Sequence, residues 1–178
     1  LVNFHPVTIR KNMTRIYINE ILEALKIFKD TRIIFTMPNA DHENKIIFKK
    51  INNFVRKNKN SKVFKSMGSI AYLSCLKLVD IIVGNSSSGL LEAPTLRTPT
   101  INIGERQKGR LKAKSITDCL PKKKEIVKNI KKILRNKGKY NMGNFKNPYG
   151  KVGASKKIIS ILEKKSLTNL LKKKFYDF

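Results

Sequence analysis

Asp80-Ile81-Ile82-Val83-Gly84-Asn85-Ser86-Ser87-Ser88-Gly89-Leu90-Leu91-Glu92-Ala93-Pro94 is the stretch on which the reading of this chain turns. It opens on an apolar, β-branched run, the composition of a buried strand. Gly84 and Asn85 punctuate it, and three serines then lead into an apolar run long enough for a short helix that carries Glu92. A serine at a helix start caps an orphan backbone N–H. A strand, a tight turn and a helix start also gather several free N–H groups and the positive end of a dipole at one point. Such a point suits a phosphate. Small side chains from Ser86 to Gly89 let an anion reach the backbone. Residue types alone leave both readings open, a capped helix after a core strand or an anion-binding turn.

Outward from that stretch, strand and helix patterns alternate. Val2 to His5 reads as a strand ended by Pro6, which fixes φ and lacks an N–H. Ile16, Ile18, Ile21, Leu22, Leu25 and Phe28 recur near a period of 3.6 and predict an amphipathic helix. Arg32 to Met37 is a second strand, stopped by Pro38. A helix from about Asp41 to Lys57 follows, with Asp41 as its N-cap and Glu43 in its first turn. Lys62 to Lys65 is a third strand, and Ile70 to Leu78 a helix that leads into the opening stretch. Pro99 to Ile103 and Ser115 to Cys119 are further strands, separated by a loop from Gly104 to Arg110. Helices are expected from Lys122 to Arg135 and from Val152 to Lys165. Asn136 to Gly150 links those two, and residues 166–178 form a basic tail with terminal aromatics.

This alternation predicts an α/β fold, a Rossmann-like doubly wound parallel sheet covered on both faces, within one domain spanning residues 1–165. Strand-to-helix loops in such a sheet share the carboxyl edge, where ligands bind. His5, Asn39, Gly68, Ser86 to Ser88 and Gly104 to Arg110 all fall in or beside those loops. Their convergence points to one nucleotide-sized site.

Composition narrows the function classes. The chain has 178 residues and 40% hydrophobic content, enough for one core. Its formal charge is +27, from 39 Lys and Arg against 12 Asp and Glu. The lysines are spread over most helices, and no aromatics are interleaved for base stacking, so nucleic acid is not the expected partner. A non-catalytic basic module that binds nucleic acid or an anionic membrane is a competing function, distinguished by salt-sensitive binding indifferent to nucleotide. Cys75 and Cys119 are far apart and have no CxxC partner, as in reduced thiols of a cytoplasmic protein. The chain starts at Leu1 directly on strand-like residues, which reads as a piece of something larger.

Few residues could carry chemistry. His5 either closes a strand end or donates to, and moves a proton at, a bound substrate. Asp41-His42-Glu43 does not converge on a metal, because adjacent helical residues point apart, so no metal is expected. Asn39 either reads a ribose or base or makes a turn. Arg106 and Arg110 either pair with a diphosphate or are solvated loop charge. Glu92 either accepts ribose hydroxyls or is an exposed carboxylate. No GxGxxG fingerprint, Walker lysine or Ser-His-Asp order is present.

Four segments taken in order are more specific than any one of them: Phe4-His5-Pro6-Val7-Thr8, Met37-Pro38-Asn39-Ala40-Asp41, Gly84 to Gly89 with Glu92-Ala93-Pro94, and Ile103-Gly104-Glu105-Arg106-Gln107-Lys108-Gly109-Arg110. Together they resemble the carboxyl-terminal half of the hydrolysing UDP-N-acetylglucosamine 2-epimerases, over roughly residues 1–165. The resemblance implies a two-domain architecture like the GT-B glycosyltransferases, with UDP held mainly by this half. It implies that Ser86 and Ser87, with Ser88 close by, hold the diphosphate, that Glu92 holds the ribose, and that Arg106 and Asn39 hold the nucleotide. His5 is implied to face the diphosphate and sugar as the catalytic residue of this half. The implied reaction eliminates UDP from UDP-N-acetylglucosamine and adds water to a glycal-like intermediate, releasing N-acetylmannosamine. Close relatives use a bacillosamine-type UDP sugar for sialic-acid-like products. UDP-sugar is then substrate, and no cofactor is required. The partner expected is the missing amino-terminal half, whose catalytic carboxylates this chain lacks, and self-association is left open. A GT-B glycosyltransferase donor domain remains the alternative enzyme, separable by its need for an acceptor other than water.

Overall fold

The computed structural model describes residues 1–7, 13–38, 43–136, 146–150 and 152–166. Two compact units divide the chain, Leu1–Pro148 and Tyr149–Phe178.

In the first unit the elements run β1 (Val2–Asn3), α1 (Met13–Leu25), β2 (Ile33–Thr36), α2 (Asn44–Lys57), β3 (Ser61–Phe64), α3 (Gly68–Leu78), β4 (Ile82–Gly84), α4 (Ser88–Leu91), β5 (Thr100–Ile103), β6 (Ile116–Cys119) and α5 (Lys123–Arg135). All strand pairings are parallel, in the order β3-β2-β1-β4-β5-β6. The order reverses direction between β1 and β4, so the loops after these two strands part to opposite sides and leave a crevice at their carboxyl ends. His5 and the serine triplet follow those two strands.

The sheet is covered on both faces because its strands are apolar in both directions. On one face Val2, Phe4, Ile33, Phe35, Ile81, Val83, Ile101 and Ile103 pack with the buried sides of α1, α2 and α5. On the other, Leu1 and Ile82 meet Leu76 of α3 and Ala93 beyond α4. Phe35 and Phe54 stack edge to face with ring centroids 5.6 Å apart, tying α2 to the sheet centre. The strands turn polar at their carboxyl ends: Asn3, Thr36, Asn85, Asn102 and Asp118 all lie along one edge.

Several boundaries move by one to three residues from their sequence expectation, and two assignments change. Ile16 is 50% exposed, while Thr14 and Ala24 of α1 are buried. Contact with both α2 and α5 turns the helix so that Ile16 faces out, a rotation that apolar spacing alone does not set. The cap position of α2 is held by Glu43, at φ 69°, and the helix begins at Asn44. The expected cap Asp41, with His42, lies outside the described residues, as does residue 39.

In the second unit α6 (Ala154–Lys164) follows Gly153, which supplies a left-handed φ of 103°. Its Ile158, Ile159, Ile161 and Leu162 are exposed. The expected basic tail lies outside the described residues from residue 167 onward. Among the described residues, no helix is long and apolar enough to cross a membrane.

Candidate functional site

Gly84 ends β4 at φ 148°, and a Cβ there would stand 1.9 Å from the carbonyl oxygen of Asn3. That approach lets the Asn85 amide donate to the same Asn3 oxygen at 3.1 Å. Asn85 is 1% exposed, and all its polar groups are engaged. Its Oδ1 accepts from the His5 N–H at 2.7 Å, and its Nδ2 donates to the His5 carbonyl at 2.9 Å. The side chain thus supplies one more rung where the β1–β4 ladder has ended. Its own carbonyl accepts from Gln107 Nε2 at 2.8 Å and from Arg106 Nη1 at 3.2 Å. One asparagine therefore joins the segment after β1, the turn after β4 and the loop after β5.

The serine triplet follows directly. Leu90 and Leu91 both donate to the Ser87 carbonyl at 2.9 Å, which closes the single turn of α4. Gly89 sits against Thr100, whose Oγ1 donates to the Gly89 carbonyl at 2.9 Å and anchors α4 on β5. The backbone N–H groups of Ser86 and Ser87 donate to no group among the described residues. Ser87 occupies the cap position of α4 without a side-chain bond, and the Ser88 N–H of the first turn donates instead to Ser86 Oγ at 3.4 Å. One serine side chain, that of Ser86, thus serves the helix start as the capping reading expects, and the half-buried Ser87 hydroxyl takes no part in it. Glu92 is the residue that closes α4 rather than part of it, and its carboxylate is exposed.

Ser88 is committed elsewhere. Its Oγ lies 2.7 Å from the Tyr72 hydroxyl and donates to Glu92 Oε2. Tyr72 also receives a bond from Asn3 Nδ2, and Thr36 Oγ1 donates to Asn3 Oδ1 at 2.7 Å. Burial, with Glu92 nearby, pushes the Tyr72 phenol above its usual range, so it stays protonated.

Of the residues expected at the site, the structure brings His5, Ser86, Ser87, Ser88, Glu92 and Arg106 onto one edge. Asn39 lies outside the described residues. Arg110 is exposed, and no hydrogen bond ties its guanidinium to the serine turn. Sequence reasoning missed Asn3, Tyr72, Asn85 and Gln107. A polar residue ending an otherwise apolar strand is the signal that marks Asn3, and Asn85 follows β4 in the same way. Beside Arg106 opens a cavity of about 380 Å³ lined in part by Pro6, Tyr17, Lys112 and Asp118. The larger cavity, about 520 Å³, lies at the amino ends of β1, β2 and β4, away from the residues of the four motifs.

In the smaller cavity's wall, Asp118 opposes burial, which alone would raise its carboxyl. Bonds from Lys112 Nζ and Asn102 Nδ2, both at 2.7 Å, hold it below the usual carboxylate range. A depressed folded value means stability that is present above the ordinary carboxylate pKa and lost as pH falls through the lower one. Asp118→Asn should therefore flatten the acid limb of urea-denaturation midpoints below about pH 4, by under about 1 kcal/mol because the pair is solvated. An unchanged acid limb would show that the Lys112 bond does not persist in solution. Among the described residues, no group of three or more His, Cys, Asp or Glu side chains is placed to hold a metal.

The arrangement has the chemistry that suits an anion: the unpaired Ser86 and Ser87 amides, their two hydroxyl protons and one arginine meet at the crevice where the strand order reverses. Comparisons with known proteins bear on the family and the fold. A family model described as UDP-N-acetylglucosamine 2-epimerase matches residues 1–163. The GDP/UDP-N,N'-diacetylbacillosamine 2-epimerase (hydrolyzing) of Campylobacter jejuni is 41% identical over 119 residues, covering 66% of this chain and 31% of that protein. Polysialic acid biosynthesis protein P7 of Escherichia coli is 37% identical over 164 residues, covering 92% of this chain and 42% of that protein. The chain thus spans well under half the length of both relatives. The fold matches that of the Methanocaldococcus jannaschii UDP-GlcNAc 2-epimerase solved with UDP-GlcNAc and UDP, with a TM-score of 0.68 at 21% identity, over 91% of this chain and 44% of that one. From the matched residues, the chain belongs to the UDP-N-acetylglucosamine 2-epimerase family.

Proposed function

We infer that this chain is the UDP-binding part of a hydrolysing 2-epimerase that takes UDP-N-acetylglucosamine or a diacetylbacillosamine-type UDP sugar. The observation that carries the reading is the Asn85 junction, which holds free amides, hydroxyls, Arg106 and the His5 segment together at the β1–β4 crevice. The family membership and the names of the two relatives support a nucleotide sugar as substrate.

In that reaction the bond from the sugar's anomeric carbon to the diphosphate oxygen breaks, and UDP departs with the electron pair. Charge grows on the departing oxygen, where the Ser86 and Ser87 amides and the Arg106 guanidinium stabilise it more than in the ground state. Glu92 accepts ribose hydroxyls and orients the nucleotide. His5 stands at the diphosphate–sugar junction to hold or move a proton. Water then adds to the glycal-like intermediate. The carboxylates that abstract the sugar proton come from the rest of the protein, so the 178-residue chain alone binds UDP weakly and releases no 2-acetamido sugar.

Titration calorimetry on the intact protein tests the assignment. Arg106→Ala should weaken UDP binding by at least about tenfold, or 1.4 kcal/mol, since one charge-assisted contact is worth about that or more. Ser87→Ala should weaken it less, because the amide remains. Unchanged affinity in both variants would overturn the site even with the fold intact.

A further inference from the structure

The polar chain behind the serine turn has a direction. A carboxylate only accepts, so Ser88 must give its single hydroxyl proton to Glu92 Oε2. Ser88 Oγ then accepts from Tyr72 at 2.7 Å. The Tyr72 oxygen in turn accepts from the Asn3 amide, and Asn3 Oδ1 accepts from Thr36 at 2.7 Å. Every proton along Thr36–Asn3–Tyr72–Ser88–Glu92 points the same way, from a buried strand end toward an exposed carboxylate. Asn3 is buried, Tyr72 and Ser88 half-buried, so the chain is anchored at one end in the sheet. Its far end is Glu92, the side chain assigned above to the ribose hydroxyls.

We propose that Tyr72 is a positioning residue for nucleotide recognition: through Ser88 it fixes one Glu92 oxygen, leaving the other aimed at the ribose hydroxyls. The proposal rests on the reading of Glu92 as the ribose acceptor. Two consequences follow. Ser88 has no proton left for a phosphate, so the diphosphate is bound by Ser86 and Ser87 alone among the three hydroxyls. An exposed glutamate also loses rotamer freedom before ligand arrives, which lowers the ordering cost of binding. The protonated phenol suits this task, because a phenolate could not donate to Ser88.

The test compares UDP with 2′,3′-dideoxy-UDP by calorimetry on the intact protein, in wild type, Tyr72→Phe, Ser88→Ala and Glu92→Ala. Wild type should prefer UDP. Glu92→Ala should remove most of that preference, and Tyr72→Phe and Ser88→Ala should each reduce it at least threefold, a Tyr72→Phe/Ser88→Ala double variant losing no more than either alone. A merely structural tyrosine would weaken both ligands equally and keep the ratio. Retention of the wild-type ratio in Tyr72→Phe or in Ser88→Ala, with Glu92→Ala losing it, overturns the positioning role alone. A ratio unchanged in Glu92→Ala overturns the ribose assignment, and the positioning role falls with it. Ser88→Ala, at a partly exposed turn, reads the same link should Tyr72→Phe fail to fold.

Discussion

Gly84→Ala should destabilise the protein by about 3–5 kcal/mol, the sum of overpacking against rigid backbone and an unfavourable φ. The alanine Cβ would stand 1.9 Å from the Asn3 carbonyl oxygen and 2.6 Å from its carbon, both backbone atoms of a central strand. Neither can yield without parting β1 from β4, and parting them removes the Asn85 amide's bond to that oxygen. Gly109 provides the control. It also has a positive φ, of 81°, but a Cβ there meets nothing within 4 Å. Gly109→Ala should cost only the backbone preference, about 1–2 kcal/mol. Urea denaturation of both variants measures the difference. If they lose equal stability, the close approach of β4 to β1 is not the reason for glycine at position 84.

Asn85→Ala should cost about 2–4 kcal/mol, because it strips partners from both the N–H and the carbonyl of His5 while burying nothing in exchange. Its distinguishing feature is that stability and binding fall together. With the rung between β1 and β4 gone, His5 is no longer held beside the serine turn, and UDP affinity should drop at least tenfold. Asn85→Asp sharpens the point. It keeps the acceptor for the His5 N–H but sets an oxygen against the His5 carbonyl and a negative charge beside the anion site. It should therefore bind UDP more weakly than Asn85→Ala. Denaturation midpoints with calorimetry on the same samples check both claims. A loss below about 0.5 kcal/mol in Asn85→Ala, the range of ordinary surface changes, would show that the junction is incidental.

The two predictions mark where sequence reading stopped. Gly84 and Asn85 were legible as punctuation after a strand, which is a local matter of turn chemistry. Their necessity comes from Asn3 and His5, which become neighbours only through the strand order, His5 lying 80 residues before Asn85. Arg106 was legible as a cation in a glycine-flanked loop at a strand's carboxyl end. That it bonds to the carbonyl of Asn85 depends on β5 standing next to β4. Tyr72 illustrates the limit most clearly. Only Leu76 is buried in α3, so the helix shows no strong apolar face, and nothing local singles out one tyrosine on it. Its partners Asn3 and Ser88 come from two other elements.

By itself the sequence determined the alternation of strands and helices, the parallel α/β class and the four segments that identify the family. Those properties follow from the spacing of apolar residues and from turn residues, which act over a few positions along the chain. Tertiary structure alone decided the reversal between β1 and β4, the outward turn of Ile16, the meeting of Arg106 with the turn after β4 and the donor chain ending at Glu92. Each of these is a contact between distant segments, and a hydrogen bond requires both partners within about 3 Å, a condition that only the packed sheet fulfils.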